Sequence, residues 1–219
     1  MKKGWKIFWI ICLIIAMLGL GALVTGVAMG FQLTDVAKAY GLTDWPSDHR
    51  ELVSDVKDIS IDMGAGELVL QTYNGEDVRC DVDEPQYMTC AIEQDGDELD
   101  IDISHSKQFG TDAGKVTLYV PANQEFEEFS LHVGAGNVVL GEIQARKVSI
   151  ECGAGRVAYA APGVETDYNF DMECAVGNIK VGTTEYSGLA TKKKINNNAQ
   201  KNIEMECGAG EIVVTFEEQ

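Results

Sequence analysis

The sequence predicts an all-β protein, a single-stranded β-helix (β-solenoid) carried behind one N-terminal transmembrane helix. Three observations predict this fold. A glycine-rich motif recurs five times, apolar and polar residues alternate on both sides of it, and a long uncharged run opens the chain. Alternation with a period of two is typical of strands that bury one face. A β-sandwich is the alternative, because each motif taken alone could close a hairpin with a three-residue loop.

The transmembrane helix is predicted at residues 7–31, which contain no charged side chain. As a helix this run would be about 37 Å long, enough to cross a hydrocarbon core of roughly 30 Å. Lys2, Lys3 and Lys6 precede it, and positive residues stay on the cytoplasmic side. We therefore expect a cytoplasmic stub at 1–6 and a single-pass anchor in the cell membrane, with the remaining chain extracytoplasmic. A cleaved signal peptide is the alternative.

The segment at residues 32–52 has no sustained period, and Gly41 and Pro46 are typical of a linker. From residue 53 onward, stretches such as "KVTLYV" and "NIEMEC" alternate apolar with polar residues. We therefore predict a linker at 32–52 and a β domain at 53–219. Residues 71–128 contain strands too, but their turns are less regular.

The recurring motif predicts sharp corners within the strands. Its copies read "IDMGAGELVLQ", "LHVGAGNVVLG", "IECGAGRVAYA", "MECAVGNIKVG" and "MECGAGEIVVT". The residue directly before each corner, the residue two positions before that one and the second residue after the corner are all apolar, so each copy points one column of side chains inward. Glycine allows the abrupt bend because it adopts positive φ without steric cost. The predicted structural corners are Gly64, Gly66, Gly134, Gly136, Gly153, Gly155, Gly177, Gly208 and Gly210.

The spacing of the corners, near 20 residues, favours one repeat per turn of a solenoid. Neighbouring repeats would then stack about 4.8 Å apart in register. Cys152, Cys174 and Cys207 would fall above one another. The stretch 183–202 is an insertion between the last two corners, and "VVTFEEQ" would place charges on an exposed final edge.

Charge excludes some partners. After Phe31 the chain carries 14 basic and 35 acidic residues, a net charge of −21. Such a surface repels nucleic acid and argues against a polybasic lipid-binding patch. The run "KKKINNN" at 192–198 is a local positive exception, predicted as a solvated loop or a partner contact.

Five cysteines follow the predicted anchor: Cys80, Cys90, Cys152, Cys174 and Cys207. None forms a C-x-x-C pair, so a zinc ribbon or a thioredoxin-type site is unsupported. The last three occupy inward positions, which predicts small buried hydrophobic residues. An odd number cannot pair completely in disulfides.

Carboxylates offer the remaining chemistry. "EQDGDELDID" matches no EF-hand loop, which leaves a solvated acidic turn or weak calcium binding. The outward column Asp62, Glu151, Glu173 and Glu206, with His132 among them, could serve a glycan-acting hydrolase or lyase. Alternation alone also produces such a column. His49, His105 and His132 show no metal-ligand spacing, and we predict no catalytic residue, metal site or cofactor.

The anchor, the passage "VTLYVPANQEFEEFSLHVGAGNVVL" and the final "IEMECGAGEIVVTF" resemble a bacterial family of putative adhesins. This is the domain of unknown function 4097, as in cell-envelope stress proteins of the Lia type. The resemblance covers residues 53–219 and implies a β-helix and a role in the envelope, without catalytic residues. We therefore expect a non-catalytic, membrane-anchored β-solenoid that meets an envelope protein or glycan, with a β-helix glycan-acting enzyme as the alternative.

Overall fold

The computed structural model describes residues 56–83, 88–105 and 114–216. Within these ranges no helix is long and apolar enough to cross a membrane.

The predicted cytoplasmic stub (1–6), anchor (7–31) and linker (32–52) lie outside the described residues.

The described residues are all-β, with thirteen strands, one 3-10 turn (Glu165–Asp167) and no α-helix. The strands join in one large mixed sheet. They are β1 (Asp58–Tyr73), β2 (Arg79–Asp83), β3 (Met88–Asp95), β4 (Glu98–His105), β5 (Lys115–Pro121), β6 (Glu125–Leu140), β7 (Gln144–Ala161), β8 (Tyr168–Cys174), β9 (Asn178–Val181), β10 (Thr184–Ser187), β11 (Thr191–Ile195), β12 (Lys201–Cys207) and β13 (Glu211–Phe216).

The five repeats pair with one another as parallel strands in register. Ile61 of β1 pairs with Leu131 of β6, and Leu131 pairs with Ile150 of β7. The pairing of β6 with β7 continues through the corner, where Gly136 faces Gly155. The parts of a repeat before and after its corner therefore pair with the same neighbouring repeat, so these corners do not join antiparallel partners.

The order of the repeats in space differs from their order in the chain. β12 lies between β7 and β8, and β13 lies between β7 and β9. The last repeat is thus inserted between the third and the fourth, and the three cysteines stand in the order Cys152, Cys207, Cys174. The prediction that the C-terminal strand forms an exposed edge is wrong, because β13 is paired on both sides.

Antiparallel strands cover both ends of the stack. At one end β3 pairs with β4 and β2 pairs with β5. At the other end β11 pairs with β8 and β10 pairs with β9. A disulfide joins Cys80 of β2 to Cys90 of β3, with the Cα atoms 6.8 Å apart. The irregular stretch 71–128 and the insertion 183–202 thus supply the ends of the stack.

The core lies between the strand segments before and after the corners. Its inward columns are fully apolar, and no polar or charged side chain is buried in the described part of the chain. One such column, with each side chain at most 2% exposed, is Ile61, Leu131, Ile150, Met205 and Met172.

The segments before the corners present a surface that we call the acidic face. It consists of the outward side chains of β3, β4, β1, β6, β7, β12, β8 and β11, in that order. Fifteen carboxylates, three lysines and one arginine occupy it: Glu93, Asp95, Glu98, Asp100, Asp102, Asp58, Asp62, Glu125, Glu127, Glu128, Glu151, Glu204, Glu206, Asp171 and Glu173, with Arg146, Lys147, Lys192 and Lys194.

The segments after the corners present a second surface, which we call the valine face. It consists of the outward side chains of β2, β5, β1, β6, β7, β13, β9 and β10. Its central column is mainly apolar: Thr117, Val69, Val139, Ala158, Val213 and Lys180. Its charges nearly balance, with Arg79, Lys115, Arg156 and Lys180 against Asp81, Asp83, Glu67, Glu185 and Glu211.

Candidate functional site

The second glycine of each corner lies where the backbones of neighbouring repeats touch. A Cβ atom built on Gly155 would lie 1.9 Å from the carbonyl oxygen of Gly136, and the φ of Gly155 is +114°. L-residues rarely adopt that φ, so both the conformation and the contact require glycine here. The second-position ladder runs Gly66, Gly136, Gly155, Gly210, Gly177.

At the first glycine of the corner, only the close contact with the backbone of the neighbouring repeat favours glycine. A Cβ atom on Gly153 would lie 2.7 Å from the carbonyl oxygen of Gly134, although the φ of Gly153 is not positive. The Ala209 N–H donates a hydrogen bond to the Gly153 carbonyl at 2.8 Å on the other side. The first-position ladder runs Gly64, Gly134, Gly153, Gly208 and ends on Ala175.

Cys152, Cys207 and Cys174 form a row that we call the cysteine ladder. They stand directly before the corner on β7, β12 and β8, and all three are free and buried, as the alternation predicts. The Sγ atom of Cys207 lies 2.7 Å from the position of a Cβ on Gly177, and that of Cys152 lies 3.0 Å from the position of one on Gly210. The corner glycines thus make room for the sulfurs. Burial raises the pKa of the Cys152 and Cys174 thiols, which keeps them protonated and unreactive at neutral pH.

Glu151, Glu206 and Glu173 stand outside the cysteine ladder on the same three strands, and we call them the glutamate ladder. His132 closes one end, with its Nδ1 2.8 Å from Oε2 of Glu151. Lys192 of β11 closes the other end through an ion pair with Glu173. In the described part of the chain, the side chain of Glu206 makes no hydrogen bond or ion pair, so this central carboxylate lies between two carboxylates that each have a partner.

An open groove of about 520 Å³ runs along both ladders. The three cysteines and three glutamates of the ladders line it, together with His132 and the residue at the first position of each of the three corners. Ala190, Thr191 and Lys192 form its other wall. The Ala190 N–H donates a hydrogen bond to the Ala175 carbonyl at 2.9 Å, which holds this wall against the stack. The groove is the candidate site because it brings three carboxylates, an imidazole and an ammonium group together around one open space.

The groove contains most of the carboxylate column that the sequence predicts. Glu151, Glu173, Glu206 and His132 line it. Asp62, on β1, is the backbone partner of His132 on β6 and does not line the groove. Lys192 was not predicted as a site residue. The sequence indicates it only as part of the positive run at 192–198, because its place in the groove depends on β11 folding back against β8.

The groove offers little to a metal ion or to acid catalysis. Among the described residues, no group of three or more His, Cys, Asp or Glu side chains could hold a metal. The Glu151 and Glu173 side chains are 50% and 46% exposed. A carboxylic acid that must keep its proton needs apolar surroundings, and these carboxylates face water.

The positive run at 192–198 is edge strand β11 and the turn that follows it. Lys192 and Lys194 form ion pairs with Glu173 and Asp171 of β8. Among the ion pairs of the described residues, none involves Lys193. Charged edges discourage pairing with another chain, so most of this charge serves the end of the stack.

No family model matches the chain, and no curated protein does. Two crystal structures show some likeness. One is of a putative cell adhesion protein from Clostridium sporogenes, with a TM-score of 0.49 and 15% identity, covering 78% of this chain and 97% of that one. The other is of a putative adhesin from Bacteroides fragilis, with a TM-score of 0.26 and 10% identity, covering 76% and 95%. Likenesses this low assign no function, and membership of the domain of unknown function 4097 stays a prediction.

Proposed function

We propose that the described strands are the turns of a β-solenoid, held outside the cell membrane by the anchor at 7–31. It acts without catalysis, as an adhesin or envelope interaction protein that presents its stacked surfaces to an envelope protein or glycan. The envelope role rests on the predicted anchor and on the resemblance of the sequence motifs to putative adhesins.

One observation carries the proposal: equivalent residues of successive repeats pair in register and in parallel. Each repeat then contacts only its neighbours, and a stack of this kind is a stiff platform with broad outer surfaces. Binding on such a platform depends on surface side chains, and the acidic face presents many of them as exposed carboxylates.

The test is photo-crosslinking in intact cells. A photoreactive amino acid is placed singly at Glu204 on the acidic face, at Val139 on the valine face and at Leu189 beside the groove wall. We expect one envelope protein or glycan to be captured from one of these positions and not from the others. Capture of no envelope component from any position would contradict the proposal. Deleting residues 183–202 would not test the loop as a binding site, because the deletion also removes β10 and β11, the two strands that cover one end of the stack.

The position of the domain relative to the membrane is tested separately. Protease added to whole cells should cleave the β domain and leave the predicted stub at 1–6 protected, since Lys2, Lys3 and Lys6 favour a cytoplasmic N-terminus. Protection of the β domain until the cells are lysed would place it inside and contradict the proposal.

The groove supports a second candidate, a glycan-acting enzyme. Residues on adjacent strands stand about 4.8 Å apart, close to the separation of roughly 5 Å between the carboxylates of retaining glycosidases. Glu206→Gln tests it, since in the described part of the chain this central carboxylate makes no hydrogen bond or ion pair that the change would remove. Turnover of cell-wall or plant glycans that is lost in the variant would favour the enzyme, whereas no turnover by the unchanged chain would remove it.

A further inference from the structure

We propose that the valine face binds the valine face of a second copy of this chain. The interface is isologous, so the same surface is buried on both copies. The inference depends on the distribution of charge, on the apolar column and on the available area.

Charge favours the valine face as the contact between copies. On the acidic face, fifteen carboxylates stand against four basic residues. On the valine face, four basic residues stand against five acidic ones. Two chains with a net charge of −18 repel each other. Contact through the valine faces directs the two acidic faces away from each other, which minimises this repulsion.

The apolar column supplies the attraction. Val69, Val139 and Ala158 lie side by side on β1, β6 and β7. Val139 is 51% exposed, although it lies on a strand that is paired on both sides. Tyr119 lies next to this column on β5 and is half-buried. Tyrosine is enriched where proteins bind each other, and adjoining apolar side chains on a surface mark interaction sites.

The area is sufficient for a stable contact. Eight strands contribute to the valine face. At the usual strand spacing and rise they cover roughly 38 Å by 20 Å, or about 1,500 Å² buried over the two copies, within the range of specific interfaces.

The test is sedimentation equilibrium of the full chain in density-matched detergent micelles. We expect a dimer at protein concentrations of about 1 to 100 µM, because interfaces of this size bind with micromolar or higher affinity. Added sodium chloride should strengthen the dimer, because it screens the repulsion between the acidic faces. A monomer throughout this range, or a dimer that salt weakens, would overturn the proposal.

Val139→Asp and Val139→Lys locate the interface. Each places a charge twice in the dimer contact and should weaken dimerisation at least about thirtyfold. Thr89→Asp is the matched control, because it adds the same charge to an exposed position on the opposite face, and it should leave dimerisation unchanged. Circular dichroism confirms that each variant is folded. If both Val139 variants dimerised as well as the unchanged chain, for example through the predicted anchor, the proposal would be overturned. An equal weakening of dimerisation by Thr89→Asp would overturn it too.

Discussion

Replacing Gly155 by alanine tests whether the corners are stacked or are merely turns. Two costs are expected at this position. The φ of +114° is unfavourable for alanine by about 1–2 kcal/mol. The new Cβ would lie 1.9 Å from the Gly136 carbonyl oxygen, so β6 and β7 must separate locally. We expect this to break about two ladder hydrogen bonds worth about 1 kcal/mol each. After the gain of about 0.5–1 kcal/mol from a less flexible unfolded chain, the net loss is about 3 kcal/mol.

Two matched glycines separate these costs. Gly96 lies in the turn between β3 and β4 with φ of +67° and no atom within 4 Å of a built Cβ, so Gly96→Ala carries the conformational cost alone, about 1 kcal/mol. Gly153 lacks a positive φ, but its Cβ would lie 2.7 Å from the Gly134 carbonyl oxygen. Gly153→Ala carries the contact alone, about 1–2 kcal/mol.

The assay is urea unfolding of the full chain in mild detergent, followed by far-ultraviolet circular dichroism. The expected order of destabilisation is Gly155→Ala, then Gly153→Ala, then Gly96→Ala. Should Gly155→Ala and Gly96→Ala agree within about 0.5 kcal/mol, and Gly153→Ala be neutral, the close approach of the backbones would play no role and the stacking argument would fail.

Three further predictions concern the ends of the stack and its aromatic residues. Replacing Cys80 and Cys90 by alanine removes a disulfide between residues that are 10 apart in sequence. The lost restriction of the unfolded chain should lower the free energy of unfolding by about 3 kcal/mol. If reducing the disulfide of the unchanged chain left the urea midpoint the same, this prediction would be contradicted. Burial raises the pKa of Tyr168 to about 12, so the folded state holds this proton more tightly than the unfolded state does. The free energy of unfolding should therefore fall by about 2–3 kcal/mol between pH 10 and 12. Tyr168→Phe should remove this contribution in urea melts, and an equally steep fall in the variant would show that Tyr168 is not its source. Replacing Lys192 and Lys194 by alanine removes two exposed ion pairs, which should change the free energy of unfolding little. It should nevertheless increase aggregation measured by light scattering, because the edge strand loses two of its three positive charges, and unchanged scattering would argue against a protective role.

Much of the local structure could be predicted from the sequence. The inward positions of Met63, Val133 and Cys152 follow from alternation, and each is buried. These features are local, because the period of apolar residues within one strand reports which of its sides meets the core. The outward position of Glu151 on the same strand as Cys152 follows in the same way.

The composition of the groove could be predicted only in part. Alternation places Glu151, Glu173 and Glu206 outward, but not beside one another in the order that the structure has. Lys192 joins them only because the insertion folds back as an antiparallel edge strand. The Cys80–Cys90 disulfide likewise depends on which strands cover the other end, and an odd number of cysteines leaves many pairings open.

The sequence by itself determined the strands and their buried sides, because these depend on interactions within one strand; of the nine predicted corner glycines, Gly66, Gly136 and Gly155 have the positive φ that glycine favours. The tertiary structure decided which repeat lies beside which, how the ends are covered and what lines the groove. These depend on contacts between residues far apart in the chain: the length of 183–202 lets the last repeat insert between the third and the fourth, and no local period records that choice.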